Sequence, residues 1–269
     1  MADERIVLVT GATDGIGLQT ASELARTGAR VVVHGRSAAK VDNARRKIEE
    51  AGGRAEGVTF ELASLASVRQ GAEELARRFP RLDVLVNNAG VFMNERVRTV
   101  DGLETTFQVN HLAPFLLTTL LLKGPLSGPG ARIVNVSSIA HNRGRMNFED
   151  PQLERGFSGY GAYAQSKLAN VLFTLELAQR LPAERATVNC LHPGVVSTKL
   201  LVDGFGMQGN DTLEEAAATS IFLASAPEVA GVTGRYFVRK RETAPAPSAL
   251  DEGARRRLWE LSETLCASR

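Results

Sequence analysis

Short β-branched runs alternate with longer helix-patterned runs along almost the whole chain, and few folds satisfy such an alternation. The runs RIVLVT (5–10), RVVVHG (30–35), GVTF (57–60), LDVLVNN (82–88), ARIVNVSS (131–138), ATVNCL (186–191) and GRYFV (234–238) read as strands, several apolar on both faces. Between them lie LQTASELARTG (18–28), AAKVDNARRKIEEAGG (38–53), LASVRQGAEELARRF (65–79), LETTFQVNHLAPFLLTTLLL (103–122) and AYAQSKLANVLFTLELAQRL (162–181), helical in period and several closed by Gly or Pro. The pattern predicts an α/β fold, a doubly wound parallel sheet of about seven strands with helices on both faces. Ligands of such sheets bind beyond the carboxyl ends of the strands.

One domain over 1–269 is expected, because the length suits a single α/β core and no repeat interrupts it. RKRETAPAPSALDEG (239–253) reads as an irregular connection to a closing helix at about 251–266. A formal net charge of +2 sets up no strong field, so neither nucleic acid nor an anionic membrane is expected as a partner. Cys190 and Cys266 follow no CxxC or Cys/His spacing and read as free thiols; His34, His111, His141 and His192 show no ligand spacing, so no metal is expected. The start MADERIVLVT lacks a signal-peptide apolar region, and FLLTTLLL (115–122) falls short of the roughly 20 residues a bilayer requires. A cytoplasmic protein without a membrane anchor is the expectation.

In VTGATDGIGLQT the first strand gives way to a helix through Gly11, Gly15 and Gly17. Glycines there let the backbone turn and approach a pyrophosphate, which the helix N-terminus favours; they also suit a plain tight turn, and only their place after the first strand favours the ligand. The second strand ends at Gly35 and Arg36, where an NAD-type domain carries an acid for the ribose. Without the acid, and with a guanidinium beside it, the site favours a 2′-phosphate, hence NADP(H) over NAD(H), the other reading being that Arg36 is a solvated loop residue; an acid at position 35 is expected to reverse the preference. Asn88, Ala89 and Gly90 either let backbone approach a cofactor or form a turn. Asn110 is a polar residue on an apolar helix and needs partners, in a relay or in packing.

GYGAYAQSKLANVLF (159–173) holds two tyrosines and one lysine. Tyr163 and Lys167 are i and i+4 on one helix face, whereas Tyr160 has Ala164 at that offset. A neighbouring ammonium brings a phenol toward the working pH range, so Tyr163 is the better acid–base candidate. Ser137 and Ser138 end the preceding strand, on the same crevice.

TGATDGIG, NNAG, FQVNHL, RIVNVSSIAH, YAQSK and NCLHPGVVSTKL follow one another across nearly residues 5–240. In that order they resemble a single-domain member of the short-chain dehydrogenase/reductase superfamily. DGLETTFQVNHLAPFLLTTLLL, SSIAH and GVTGRYF are further similar to its retinol-dehydrogenase-like branch. The resemblance implies that Ser138 hydrogen-bonds the substrate carbonyl and Tyr163 transfers the proton. Lys167 would lower the tyrosine pKa and hold the nicotinamide ribose, and Asn110 would anchor a water leading to the lysine. The cofactor would be held by Gly11, Asp14, Gly15, Ile16 and Gly17, by Arg36, Glu61, Leu62, Asn88, Ala89 and Gly90, and by Pro193, Gly194, Val196 and Thr198 around the nicotinamide. Glu61-Leu62 departs from the family's usual Asp-Leu against the adenine, and the hydrophobic anchor of membrane-bound relatives is lacking.

The chemistry so implied is hydride transfer between NADP(H) and an alcohol or carbonyl of an apolar small molecule. The competing readings are a nonenzymatic NADP(H) sensor and an epimerase or dehydratase of related fold. The glycine-bearing stretch at about 199–212 is expected to be a lid over an apolar pocket, or else a flexible surface loop. By analogy, the helices at 101–123 and 157–181 are expected to pair in a homodimer or homotetramer.

Overall fold

A computed structural model describes residues 4–126 and 128–267. The valine-rich run β1 (Ile6–Val9) forms the middle of the sheet, pairing in parallel with β2 (Arg30–Gly35) on one side and β4 (Val84–Asn87) on the other. With β3 (Arg54–Thr59), β5 (Ala131–Val136), β6 (Ala186–His192), β7 (Tyr236–Val238) and β8 (Arg241–Glu242) the order is β3-β2-β1-β4-β5-β6-β7-β8. All pairs are parallel except β7 with β8. The order reverses between β1 and β4, which opens a crevice at their carboxyl ends.

Alternation along the strands divides the core in two. Leu8, Val32, Leu85 and Ile133 face α3 (Leu65–Arg78), α5 (Ala113–Leu121) and α6 (Gly159–Arg180). Val7, Val9, Val33 and Val134 face α1 (Gly15–Arg26), α2 (Ala38–Glu50) and α7 (Leu213–Ser225). Both sets are nearly solvent-free, the situation that makes parallel strands read as continuous apolar runs.

Four elements differ from the sequence reading. β3 starts at Arg54, ahead of the GVTF run, because it pairs residue for residue with β2 from Arg30 onward. β8 makes an eighth strand through a turn at Arg239 and Lys240, whose φ of 49° and 64° lie where Gly or Asn is usual, so the sequence carries no hairpin signal. α7 lies beyond the proposed lid; its capping box, Thr212 with Glu215, is a signal that was there to be read. The helix expected over 103–122 is broken into α4 (Thr105–Phe107), a π-helical turn (Gln108–Leu112) and α5. Ala113 N–H reaches back five residues to Gln108 O, and Pro114 has no N–H to offer the carbonyl of Asn110.

The closing helix α8 (Glu252–Ala267) lies against α5 and α6. Trp259 stands edge-on to Phe115 at 5.0 Å and Arg180 lies over its ring at 4.4 Å; His111 Nε2 and Ser262 Oγ are 2.9 Å apart. Residues of the two helices assigned by analogy to a partner copy are thus covered within one chain. Among the described residues, no helix is long and apolar enough to cross a membrane, and no three His, Cys, Asp or Glu side chains are grouped to hold a metal. Cys190 and Cys266 are free and buried.

Candidate active site

Thr10, just past β1, ties the two walls of the crevice together. Its Oγ1 accepts from the N–H groups of Asn88 (3.0 Å) and Ala89 (3.1 Å), while Asn88 Nδ2 donates to Thr10 O at 2.9 Å. The NNAG stretch is therefore bound to the glycine loop. Gly11 has φ 64°, and a Cβ there would lie 2.9 Å from Ala89 Cα; at Gly17 it would lie 2.3 Å from Gly11 O. These two glycines are required by the protein's own packing. Gly15, at φ 55° on the first turn of α1, is different: a Cβ would meet nothing nearer than Thr198 Cγ2 at 3.7 Å. The open N-terminus of α1 faces Thr198, a cradle that fits a pyrophosphate.

His34 supports the loop from below. Gly11 N–H donates to its Nδ1 (3.3 Å), so Nε2 carries the proton toward Phe60 O (3.1 Å), and burial pushes its pKa down to about 4. Thr10 opens the TGATDGIG stretch, but neither its tie to Asn88 and Ala89 nor the support that His34 gives shows in the sequence. Asp14 caps α1 on Gly15 N–H at 2.9 Å and pairs with Lys199 at 3.3 Å, linking the glycine loop to the loop after β6. That loop places Pro193, Gly194 and Thr198 half-buried and Val196 buried; Ile16 is half-buried at the start of α1.

Arg36 is exposed immediately after β2 and pairs with no described acid. A Cβ at Gly35 would come within 2.5 Å of Thr13 Cγ2 and 3.1 Å of Val41 Cγ2, so an acid at 35 disturbs the loop before it can act on a cofactor. Glu61 Oε1 accepts from Ala63 N–H at 3.0 Å, and Leu62 packs into the core at 6% exposure, so the side chain of Leu62 is not presented to an adenine.

The carboxyl end of β5 meets α6. Ser137 Oγ donates to Lys167 O at 2.7 Å, and Lys167 Nζ donates to Val136 O at 3.1 Å. Tyr163 is buried beside Ser138, and Lys167 Nζ lies 5.5 Å from the centre of its ring. Burial pushes the phenol up to about 12, with the neighbouring Ser138 hydroxyl acting downward; it brings the lysine down to about 8. Burial is therefore the largest influence on the phenol. Asn110 is fully partnered by protein: Oδ1 accepts from Val91 N–H (2.7 Å), and Nδ2 donates to Val91 O and Ser166 Oγ, each at 3.0 Å. Gly90 passes between Asn110 and Lys167, for a Cβ there would be 3.4 Å from Asn110 Oδ1 and 3.5 Å from Lys167 Nζ.

An apolar cluster covers Tyr163. Ala140 and Ala164 flank it, and Phe92, Leu200 and Phe205 pack on it. The Phe205 ring stands edge-on to Tyr163 at 5.2 Å and lies 4.1 Å from Phe92. Tyr160 is 41% exposed at the rim.

Residues 5–207 match the family model described as short chain dehydrogenase. The chain belongs to the short-chain dehydrogenase family. It is 44% identical to mouse retinol dehydrogenase 14 over 97% of this chain and 85% of that protein, and 38% identical to human polyprenol dehydrogenase over 96% and 84%. A crystal structure of a protein from Mycobacterium paratuberculosis superposes with a TM-score of 0.83 at 36% identity, covering 98% of this chain and 93% of that one. A blue fluorescent protein from a metagenomic library, in complex with NADPH, does so with 0.70 at 29% identity, covering 87% and 95%. The protein is thus an NAD(P)-dependent short-chain dehydrogenase/reductase of the retinol-dehydrogenase-like branch, acting on alcohols or carbonyls.

Proposed function

We propose that the enzyme is NADP(H)-preferring, uses Tyr163 as its acid–base group and acts on an apolar small molecule. The observation that carries this is the buried Tyr163, beside Ser138 and one helical turn from Lys167, beneath Phe92, Leu200 and Phe205. The names of the relatives point the same way, since retinol and polyprenol are apolar alcohols.

The cofactor would lie over Gly15 and Thr198, with Arg36 toward a 2′-phosphate and Gly90 and Lys167 beside the nicotinamide ribose. Bound there, it supplies or takes the hydride. The protein's own part is proton management. Ser138 Oγ and Tyr163 Oη hold the substrate oxygen. A phenol at about 12 is protonated at neutral pH, the form that donates to the oxygen of a carbonyl as it is reduced. Lys167 then stabilises the phenolate. Because Pro114 offers Asn110 O no N–H, that carbonyl is suited to anchor a water leading to the lysine. Phe205 must leave Tyr163 for substrate to enter, which makes the stretch at about 199–212 a lid.

Incubation with NADPH and a panel of aldehydes, ketones and quinones tests the reading: apolar carbonyls should be reduced with loss of nicotinamide absorbance. Binding of NADPH without loss at any substrate would favour the sensor. In the same assay Arg36→Ala should lower kcat/KM with NADPH about 5- to 20-fold, the low end expected of an exposed charge-assisted bond, and change NADH by no more than about threefold. Equal loss with both cofactors refutes the assignment of Arg36. The covering of α5 and α6 by α8 further leads us to expect a monomer mass from light scattering at micromolar concentration; a dimer or tetramer would have to use another surface.

A further inference from the structure

A second cavity adjoins the loop that carries Ser138. Its volume is about 600 Å³, and it lies between the 3₁₀ turn Ile139–Arg143 and the β7–β8 hairpin. Ile139, Tyr236, Val238 and Ala244 give it apolar walls, and Arg239 and Arg241 add two guanidinium groups. Ile139 follows Ser138 directly and is 56% exposed, unusual for a large apolar side chain beside a reacting group.

The cavity is held at a fixed place relative to Ser138. Ala246 N–H donates to His141 Nε2 at 3.0 Å, so Nδ1 carries the proton and donates to Ser138 O at 2.7 Å; the ring lies 4.8 Å from Tyr236. A neutral imidazole therefore braces the serine loop against the hairpin. The hairpin in turn presents Arg239, Lys240 and Arg241 in succession, the first two in left-handed backbone at φ 49° and 64°. Bulky cations in that conformation are strained, and such strain persists where surrounding contacts impose it. Here Lys240 N–H donates to Thr219 Oγ1 at 3.1 Å and Thr243 N–H to Tyr236 O at 2.9 Å. Arg239 reaches Asp211, at the end of the proposed lid, at 3.2 Å, and Arg241 forms no ion pair with a described residue. An apolar hollow edged by an unpaired guanidinium suits one kind of guest, a hydrocarbon ending in an anion.

We propose that this cavity receives the anionic end of the substrate, an apolar carbonyl compound or alcohol that carries a carboxylate, with its reacting oxygen at Ser138 and Tyr163 and its carboxylate at Arg241 and Arg239. This rests on the oxidoreductase reading above and names its substrate class. A flat lipid surface fits less well, because the apolar side chains line a concavity.

The test compares ω-oxo carboxylic acids of graded chain length with their methyl esters, using NADPH. The wild type should prefer the acid over the ester by about tenfold in kcat/KM at the best length, and Arg241→Ala should erase most of that ratio. Arg235→Ala removes a cation on the same strand edge that pairs with Glu242 outside the cavity, and it should keep the ratio. A wild type indifferent to acid and ester, or a ratio lost equally in both variants, overturns the proposal. If no carbonyl is reduced, the oxidoreductase reading of the site fails separately, and calorimetry with decanoate against decan-1-ol still decides the anion site. Decanoate binding weakened about tenfold by Arg241→Ala supports it. Absence of decanoate binding, or binding only to anionic phospholipid vesicles, refutes it.

Discussion

Tyr163→Phe is expected to lower carbonyl reduction at least about a hundredfold, the lower range for losing a general acid, with NADPH binding nearly unchanged. The phenyl ring keeps the packing against Phe92 and Phe205, at 5.8 and 5.2 Å, so the apolar cluster survives. What disappears is the hydroxyl beside Ser138, and with it the transferable proton. Tyr160→Phe is the control. Its ring is at the rim, 6.2 Å from Phe205, and activity should stay within about threefold. Stopped-flow reduction of one aldehyde by all three proteins gives the answer, and exchanged behaviour of the two variants would show that the wrong tyrosine was chosen.

Lys167→Met should separate stability from activity. Lys167 is 3% exposed, and burial brings its pKa from 10.5 down to about 8, so the folded state resists the charge that the unfolded chain carries freely. The sign follows from proton counting. Between about pH 8 and 10.5 the unfolded chain binds the proton and the folded one releases it, so the penalty is full below pH 8 and fades as pH climbs through that window. That difference corresponds to roughly 3 kcal/mol, offset by about 2 kcal/mol for the lost charge-assisted bond to Val136 O. The variant should therefore be about 1 kcal/mol more stable at pH 7, with Tm higher by about 2–4 °C. Its advantage should shrink toward pH 10. Turnover should fall about a hundredfold or more, since the phenolate loses its cation. Urea melts at pH 7 and pH 10 decide the first half; a variant less stable than wild type at pH 7 refutes the account of Lys167 as a buried charge kept for function.

The placing of Tyr163 and Lys167 together was legible because helix period alone puts residues four apart on one face. The same local logic exposed the glycine loop and the serine at a strand end. Asn110 was only half legible: its polarity on an apolar helix demanded partners, but the π-helical turn that aims it at Val91 and Ser166 depends on a five-residue hydrogen bond and a proline that periodicity does not report. Glu61 was suspect from its length, and the fold shows why, with its carboxylate turned back onto Ala63 N–H. The contacts of Thr10 and His34 were not legible, since each acts on a segment that is distant in sequence.

By itself the sequence determined the alternation, the parallel sheet, its crevice and the residues that end there, because all of these follow from period, turn chemistry and strand ends. Tertiary structure decided three other matters. It made burial the dominant influence on Tyr163, since desolvation comes from Phe92 and Phe205, brought in from two separate loops. It covered parts of α5 and α6 with α8, whose Trp259 lies far along the chain from Phe115. It also formed the cavity beside Ile139 by setting a strained hairpin against the Ser138 loop. Local pattern specifies which way a side chain points on its own element; what stands opposite it, and how much water that neighbour removes, is fixed only when the chain closes.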